Sequence, residues 1–408
     1  MRMKFNRSSQ LLLVSAASLL VAGLVTACGT QTVDFVYVTS SQAAGANSYG
    51  EIDVLEVNSM SGAMRPIPTS PFPSGGRNPV ADAVSADNTN LYVVNQDDNT
   101  IVQFVIGNDG KIYPENTVNT PGIFPLAVAI AGSNLFVVDT YQPLPSCSNS
   151  APCSGSVAVF PIAAKDTANS EKLGAPVANG SLNYWPLNLP ASSDIILPTG
   201  IAVLKSGAGL YVSAYDKTAN TGYVFGFSIG ADGTLTALNG GVPVTAGVRP
   251  SAIAADPSNA YVYVTDTTAG NVLGYAIQTD GTLTALTSGT GGGNAFQAGD
   301  APSAIAVDPA GGYLYVTNSL DANITGYSMS SGKLTRMGTY PTGLQPVAIC
   351  VDPSMHHYVY TANFLGSNVS GFEVNSTDGS LINTQLSPYT SNALPTAMAA
   401  IPHAGSKP

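Results

Sequence analysis

The chain has 408 residues, 44% of them hydrophobic and only 10% charged, with a formal net charge of −11. An acidic surface of this kind repels nucleic acid and anionic lipid headgroups, which argues against both as direct partners. Abundant Tyr, Val and Thr, with no long amphipathic helical pattern beyond the first 28 residues, predict an all-β protein.

In chain order, the first segment is a targeting signal. Arg2, Lys4 and Arg7 form a basic start, and Leu11 to Val25 is an apolar run too short to span a bilayer comfortably. The run ends in Leu24-Val25-Thr26-Ala27-Cys28, which resembles the bacterial lipoprotein signal. That resemblance implies cleavage before Cys28, lipidation of its thiol and anchorage to a membrane. It also implies an exported protein at the outer membrane, its periplasmic face or the cell surface. Removing the signal takes away three of the 14 Lys+Arg and no acid, so the net charge becomes −14. This suits a domain tethered above a membrane.

The rest of the chain is built on a repeat. A Pro-x-Ala-x-Ala rhythm begins at Pro79, Pro125, Pro198, Pro250, Pro302, Pro346 and Pro395. Each copy but the last is followed by a run such as Leu314 to Asn318 (LYVTN), then by one such as Ile324 to Met329 (ITGYSM). Small and large residues alternate in Ser303 to Val307, as in a strand buried between neighbours. Asp-Gly turns follow at Asp109, Asp232, Asp280 and Asp378. Four antiparallel strands in a unit of about 54 residues fit a propeller blade. The count closes at seven blades if the strand from Pro395 enters the first blade, whose second strand starts at Val36. The expected organisation is a signal peptide over 1–27, a lipidated tether over 28–33, a seven-bladed β-propeller over 34–402 and a tail over 403–408.

The LYVTN runs, the AIAVDP runs and the Asp-Gly turns resemble the YVTN repeat and the lactonase-type propellers of the 6-phosphogluconolactonase-like family. The likeness covers about residues 34–402. It implies the fold, and it raises lactone hydrolysis as an activity. Propellers host many functions, so activity must be argued from a site.

Chemistry is expected where a repeat departs from its siblings. Asp82 stands where the other six copies carry Val128, Ile201, Ile253, Ile305, Ile349 and Met398. A buried carboxylate needs a partner or a shifted pKa. Arg77 and Arg249, each just before a repeat proline, are the partners expected for it or for an anionic ligand. Asp82 and Arg249 are the catalytic candidates. Asp139, Asp266 and Asp300 complete a set of channel carboxylates. No cofactor is expected, although these carboxylates leave a divalent cation in the central channel as an open alternative. Long insertions in the third blade carry Tyr141, Tyr184 and Trp185, read as exposed anchors for a sugar or a partner, or as a cover for the blade edge. Cys147 and Cys153 flank a short loop and are expected to form a disulfide, whereas Cys350 fills a small buried slot. GTGGG (Gly289 to Gly293) lacks the following helix that a phosphate cradle needs, and reads as a connector. His356 and His357 fall in an a–b turn and His403 in the tail, so the channel mouth is expected to lack His.

Two functions follow. The main one is a ligand- or protein-binding scaffold at the envelope, taking a small molecule, a carbohydrate or an envelope protein. The alternative is a divergent hydrolase acting on a lactone or sugar-derived ester.

Overall fold

In the computed structural model, the described residues are 32–143, 147, 153–165, 171–190, 192–353, 358–391 and 394–403. Cys28, the residues expected to form a leader, His356 and His357 lie outside them.

The repeat unit folds as expected. Seven antiparallel sheets of four or five strands stand around a central axis. In each blade an inner a-strand pairs with b, b with c, and c with an outer d. In blade 6 these are Pro302–Val307, Tyr313–Asn318, Asn323–Ser330 and Lys333–Pro341. The first blade takes its inner strand, Pro395–Pro402, from the C-terminus and pairs it with Thr32–Ala44 in the register Val36↔Ala400 and Thr39↔Ala397. That pairing removes the free edges an open sheet would leave.

The Pro-x-Ala rhythm has a mechanical origin. In blades 2, 5, 6 and 7 the register slips at the residue after the proline, between Pro79 and Ala81, Pro250 and Ala252, Pro302 and Ala304, and Pro346 and Ala348. A bulge re-aims the extra side chain. Ser251, Ser303 and Thr396 point sideways and donate to the next blade's proline carbonyl, at Pro302 (2.6 Å), Pro346 (2.7 Å) and Pro79 (2.8 Å). Proline fits this strand start because its missing N–H leaves no donor unpaired.

The tyrosine of the LYVTN run forms a second latch. Tyr37, Tyr211, Tyr263 and Tyr315 donate through their hydroxyls to Gly110, Gly281, Gly332 and Gly379 at 3.1, 2.7, 3.1 and 2.8 Å. Each acceptor is the turn glycine of the following blade, held at φ between +74° and +82°. Glycine adopts that conformation without strain. Tyr92 and Tyr360 face blades whose turns depart from the repeat, and their buried hydroxyls have no partner. Apolar clusters between blades supply the remaining cohesion, such as Tyr315, Ile324, Val359, Phe372 and Leu381 between blades 6 and 7.

Candidate functional site at the channel wall and mouth

The d–a and b–c loops share one face of the ring. At the inner rim of that face, the residue before the repeat proline is left-handed in five blades: Asn78, Phe124, Ala301, Gln345 and Leu394, at φ from +50° to +63°. Their carbonyls turn toward the b–c loops and accept from Gln96 N, Thr140 Oγ1, Ser319 N, Phe364 N and Ser41 N at 2.7–3.0 Å. The strain of a bulky residue such as Phe124 at φ +57° is thereby held by a repeated lock.

The acids at the ends of the b-strands serve the same lock. Asp266 is fully buried and accepts the amides of Val248 (2.7 Å), Arg249 (3.3 Å), Thr268 (3.0 Å) and Ala269 (3.1 Å). Asp139 is also fully buried and takes the Gly122 amide at 3.2 Å. Burial pushes its carboxyl up to about 7, with Thr120 and Gly122 pulling the other way. Asp300 is exposed, and its own amide donates to Asp321. The Asp139 and Asp266 carboxylates hold loops, the Asp300 carboxylate is exposed, and the three do not converge. Among the described residues no group of three or more His, Cys, Asp and Glu is placed to hold a metal.

Asp82 differs. It lies on the inner strand Pro79–Val84 and faces blade 1. Its partner is neither arginine: the Thr39 hydroxyl donates to Oδ2 at 2.7 Å. Its Oδ1 is buried without a hydrogen-bond partner. Burial pushes the carboxyl up to about 7, and the Thr39 bond opposes that rise. Asp82 therefore sits near the point where it can hold or release a proton at neutral pH. Thr39 itself was not legible as a site residue, because it is the threonine of an ordinary YVTN-type run. Its counterparts Thr265 and Thr317 bond Ser251 and Ser303 of their own blades at 2.8 and 2.9 Å.

The two arginines go elsewhere. Arg77 is locked to Asp98 through Nε (2.7 Å), a terminal nitrogen (2.6 Å) and its own amide (2.7 Å). It was expected to reach Asp82, but Asp98 on the adjoining b–c loop captures it. Arg249 lies over the Tyr215 ring, 5.2 Å from its centroid, a cation–π contact that leaves the guanidinium donors open. Cys350, on blade 7's inner strand, packs with Ala348 and Ala400 against the cluster shared by blades 7 and 1. Burial, with Asp82, Asp352 and Asp34 nearby, raises its thiol well above the usual range and keeps it protonated.

The aromatic reading of the third blade needs correction. Tyr184 and Trp185 are buried, 4% and 7% exposed. Trp185 pairs with Val157 as a short outer strand and joins the cluster of blades 3 and 4. It closes the edge of its blade because the insertion replaces a regular fourth strand. Tyr141 stays half-buried at the mouth, edge-on to the exposed Phe124 with centroids 6.5 Å apart. Cys147 and Cys153 are disulfide-bonded, with Cα atoms 5.3 Å apart. Gly289 to Gly293 form a turn around a short 3-10 segment that leads into the short outer strand Ala295–Gln297, with no helix for a phosphate to cap.

Comparisons with known proteins agree with this architecture. Residues 286–395 match the family model described as Lactonase, 7-bladed beta-propeller. No curated protein matches the sequence. Among solved structures, the periplasmic gluconolactonase of Pseudomonas aeruginosa is similar at 19% identity and a TM-score of 0.69, over 91% of this chain and 99% of that one. A Bacteroides uniformis protein assigned as a 6-phosphogluconolactonase is 19% identical with a TM-score of 0.67, over 91% and 100% of the two chains. Hydrazine synthase of Kuenenia stuttgartiensis is also similar, at 16% identity and a TM-score of 0.55 over 83% and 94%, so the shared feature at this distance is the fold. By its fold the chain is a seven-bladed β-propeller, and over residues 286–395 it is similar to the lactonase propellers.

Proposed function

We propose that this protein is an exported hydrolase of an unphosphorylated lactone, anchored through Cys28, with Asp82 as its general base. The observation that carries the reading is the departure at Asp82. On a lactonase-type scaffold, one inner-wall position of seven holds a carboxyl poised near neutrality with acceptor capacity unused. Such a carboxyl can take a proton from water at physiological pH. Thr39 holds its other oxygen in place. Water would add to the lactone carbonyl as Asp82 accepts its proton. The ring C–O bond then breaks, and the proton passes to the departing alkoxide, giving a hydroxy acid. Arg249 is a mouth cation free to meet the carboxylate that forms.

Charge narrows the substrate class. Arg77 is neutralised by Asp98, and the chain carries 25 acids against 14 bases. A phosphosugar would meet a net-negative protein with two unpaired cations on the mouth face, Arg249 and the exposed Lys217. A neutral sugar lactone meets no such barrier. The binding-scaffold reading keeps one specific support: Phe124, Leu320, Leu344 and Leu365 are 43–72% exposed on the mouth-side loops.

The test is a panel of sugar-derived and alkyl lactones incubated with the purified domain, with and without chelator. Turnover of neutral lactones that survives chelation and falls in Asp82→Asn supports the proposal. Absence of turnover across the panel would return the protein to the scaffold reading.

A further inference from the structure

The two most exposed large apolar side chains among the described residues are Met60 (85%) and Leu386 (79%). They lie far apart in sequence but meet at one corner. Met60 caps the turn after Asn58, its amide donating to Asn58 Oδ1 at 2.9 Å, and Asn58 is the strand partner of Thr32. From blade 7, the Gln385 amide donates to Ser61 O at 3.4 Å, which brings Leu386 beside that turn. Leu386 and Thr32 line one surface groove with Asn58, Ala63, Met64 and Arg65. Ile382, 60% exposed on the outer strand Leu381–Asn383 that precedes Leu386, extends the apolar surface.

This corner is also where the chain enters the propeller. Four residue steps separate Cys28 from Thr32, which reach about 14 Å when fully extended. A lipid on Cys28 would therefore hold this corner, and no other part of the ring, at the bilayer surface. We propose that Met60, Ile382 and Leu386 form a membrane-resting corner, held against lipid by the anchor. The proposal rests on the anchored reading of Cys28. A single acyl chain binds reversibly, and apolar side chains placed beside it add a second hold. The corner's charge does not oppose contact strongly. Glu56 is paired with Arg65 at 2.5 Å, and Glu373 lies opposite Ile382 on the neighbouring strand. Contact would be through apolar side chains and not through headgroup attraction. The channel mouth, at the other end of the strands, would then face away from the membrane.

The experiment uses the full chain expressed with its own leader and purified with whatever modification Cys28 carries. Met60→Trp and Leu344→Trp are reconstituted separately into phosphatidylcholine vesicles whose acyl chains are brominated. Leu344 lies on the mouth face, and the native Trp185 is a buried, constant background. The expected result is a loss of the added emission for Met60→Trp, insensitive to salt, with Leu344→Trp unquenched. Mass spectrometry of the N-terminal peptide reports the anchor independently. A lipidated Cys28 with no quenching at Met60, or with equal quenching at both positions, overturns the corner and leaves the anchor standing. An unlipidated Cys28 overturns both.

Discussion

Replacing Asp82 by Asn should flatten the dependence of stability on pH. The wild-type carboxyl is pushed from 3.8 to about 7 by burial. Well below pH 3.8 it is protonated in both the folded and the unfolded chain, so it contributes no slope. As pH rises toward 7, the unfolded chain ionises while the folded one must keep its proton. Stability is therefore lost through this window and levels off above it. A shift of about three units corresponds to at most about 4 kcal/mol. Asparagine has the same shape and can accept the Thr39 hydrogen bond, but it does not titrate. Denaturant unfolding of both proteins should give nearly equal midpoints well below pH 3.8, whereas Asp82→Asn should be the more stable near pH 8. Asp139, raised to about 7 as well, contributes a parallel slope that cancels in the comparison. Identical pH slopes for the two proteins would show that the carboxyl ionises freely in the fold, and the reasoning about its environment would be refuted.

The remaining predictions concern the ring. Tyr315→Phe deletes the latch to Gly379 and should cost about 1 kcal/mol, whereas Tyr92→Phe removes an unpartnered hydroxyl and should be neutral or stabilising. Equal losses in thermal or chemical unfolding would contradict the latch. Truncation before Pro395 exposes the edge of Thr32–Ala44 and should drive aggregation in sedimentation relative to the full domain; unchanged sedimentation and melting would contradict closure through the C-terminal strand. Cys147→Ser with Cys153→Ser frees a short loop, with a loss of about 2 kcal/mol or less. It should speed proteolysis within that loop, and unchanged cleavage would argue against a constraint there.

The repeat made the fold legible. Its proline, its alternating small residues and its Asp-Gly turns each have a structural task, and a count of unmatched strands at the two ends predicted the closure. Asp82 was legible for the same reason: an acid among six apolar equivalents breaks a pattern. Its partner was not. Thr39 is identical in type to threonines that bond within their own blades, and only the geometry across the blade 1–2 interface distinguishes it. Asp139 and Asp266 were read as channel acids. An Asx turn such as the one Asp266 closes on Thr268 and Ala269 is legible from an acid at a strand end, whereas the bonds to Val248 and Gly122 across the d–a loops appear only in the fold. Arg77 was assigned to the wrong acid, since Asp98 comes near only when the d–a and b–c loops fold together. Trp185 could be read from sequence as an anchor or as a cover for the blade edge, and the fold decides for the cover: its insertion folds back as the missing outer strand.

The central claim is that Asp82 makes this propeller a lactone hydrolase. It is tested most directly by following proton release during hydrolysis of a neutral sugar lactone as a function of pH. The account predicts that kcat/KM rises with pH through about 7, as the Asp82 carboxyl loses its proton. That limb should vanish in Asp82→Asn and persist in Arg77→Ala, because Arg77 is engaged by Asp98. A rate that is absent throughout, or that keeps the same pH limb without the Asp82 carboxyl, would contradict it.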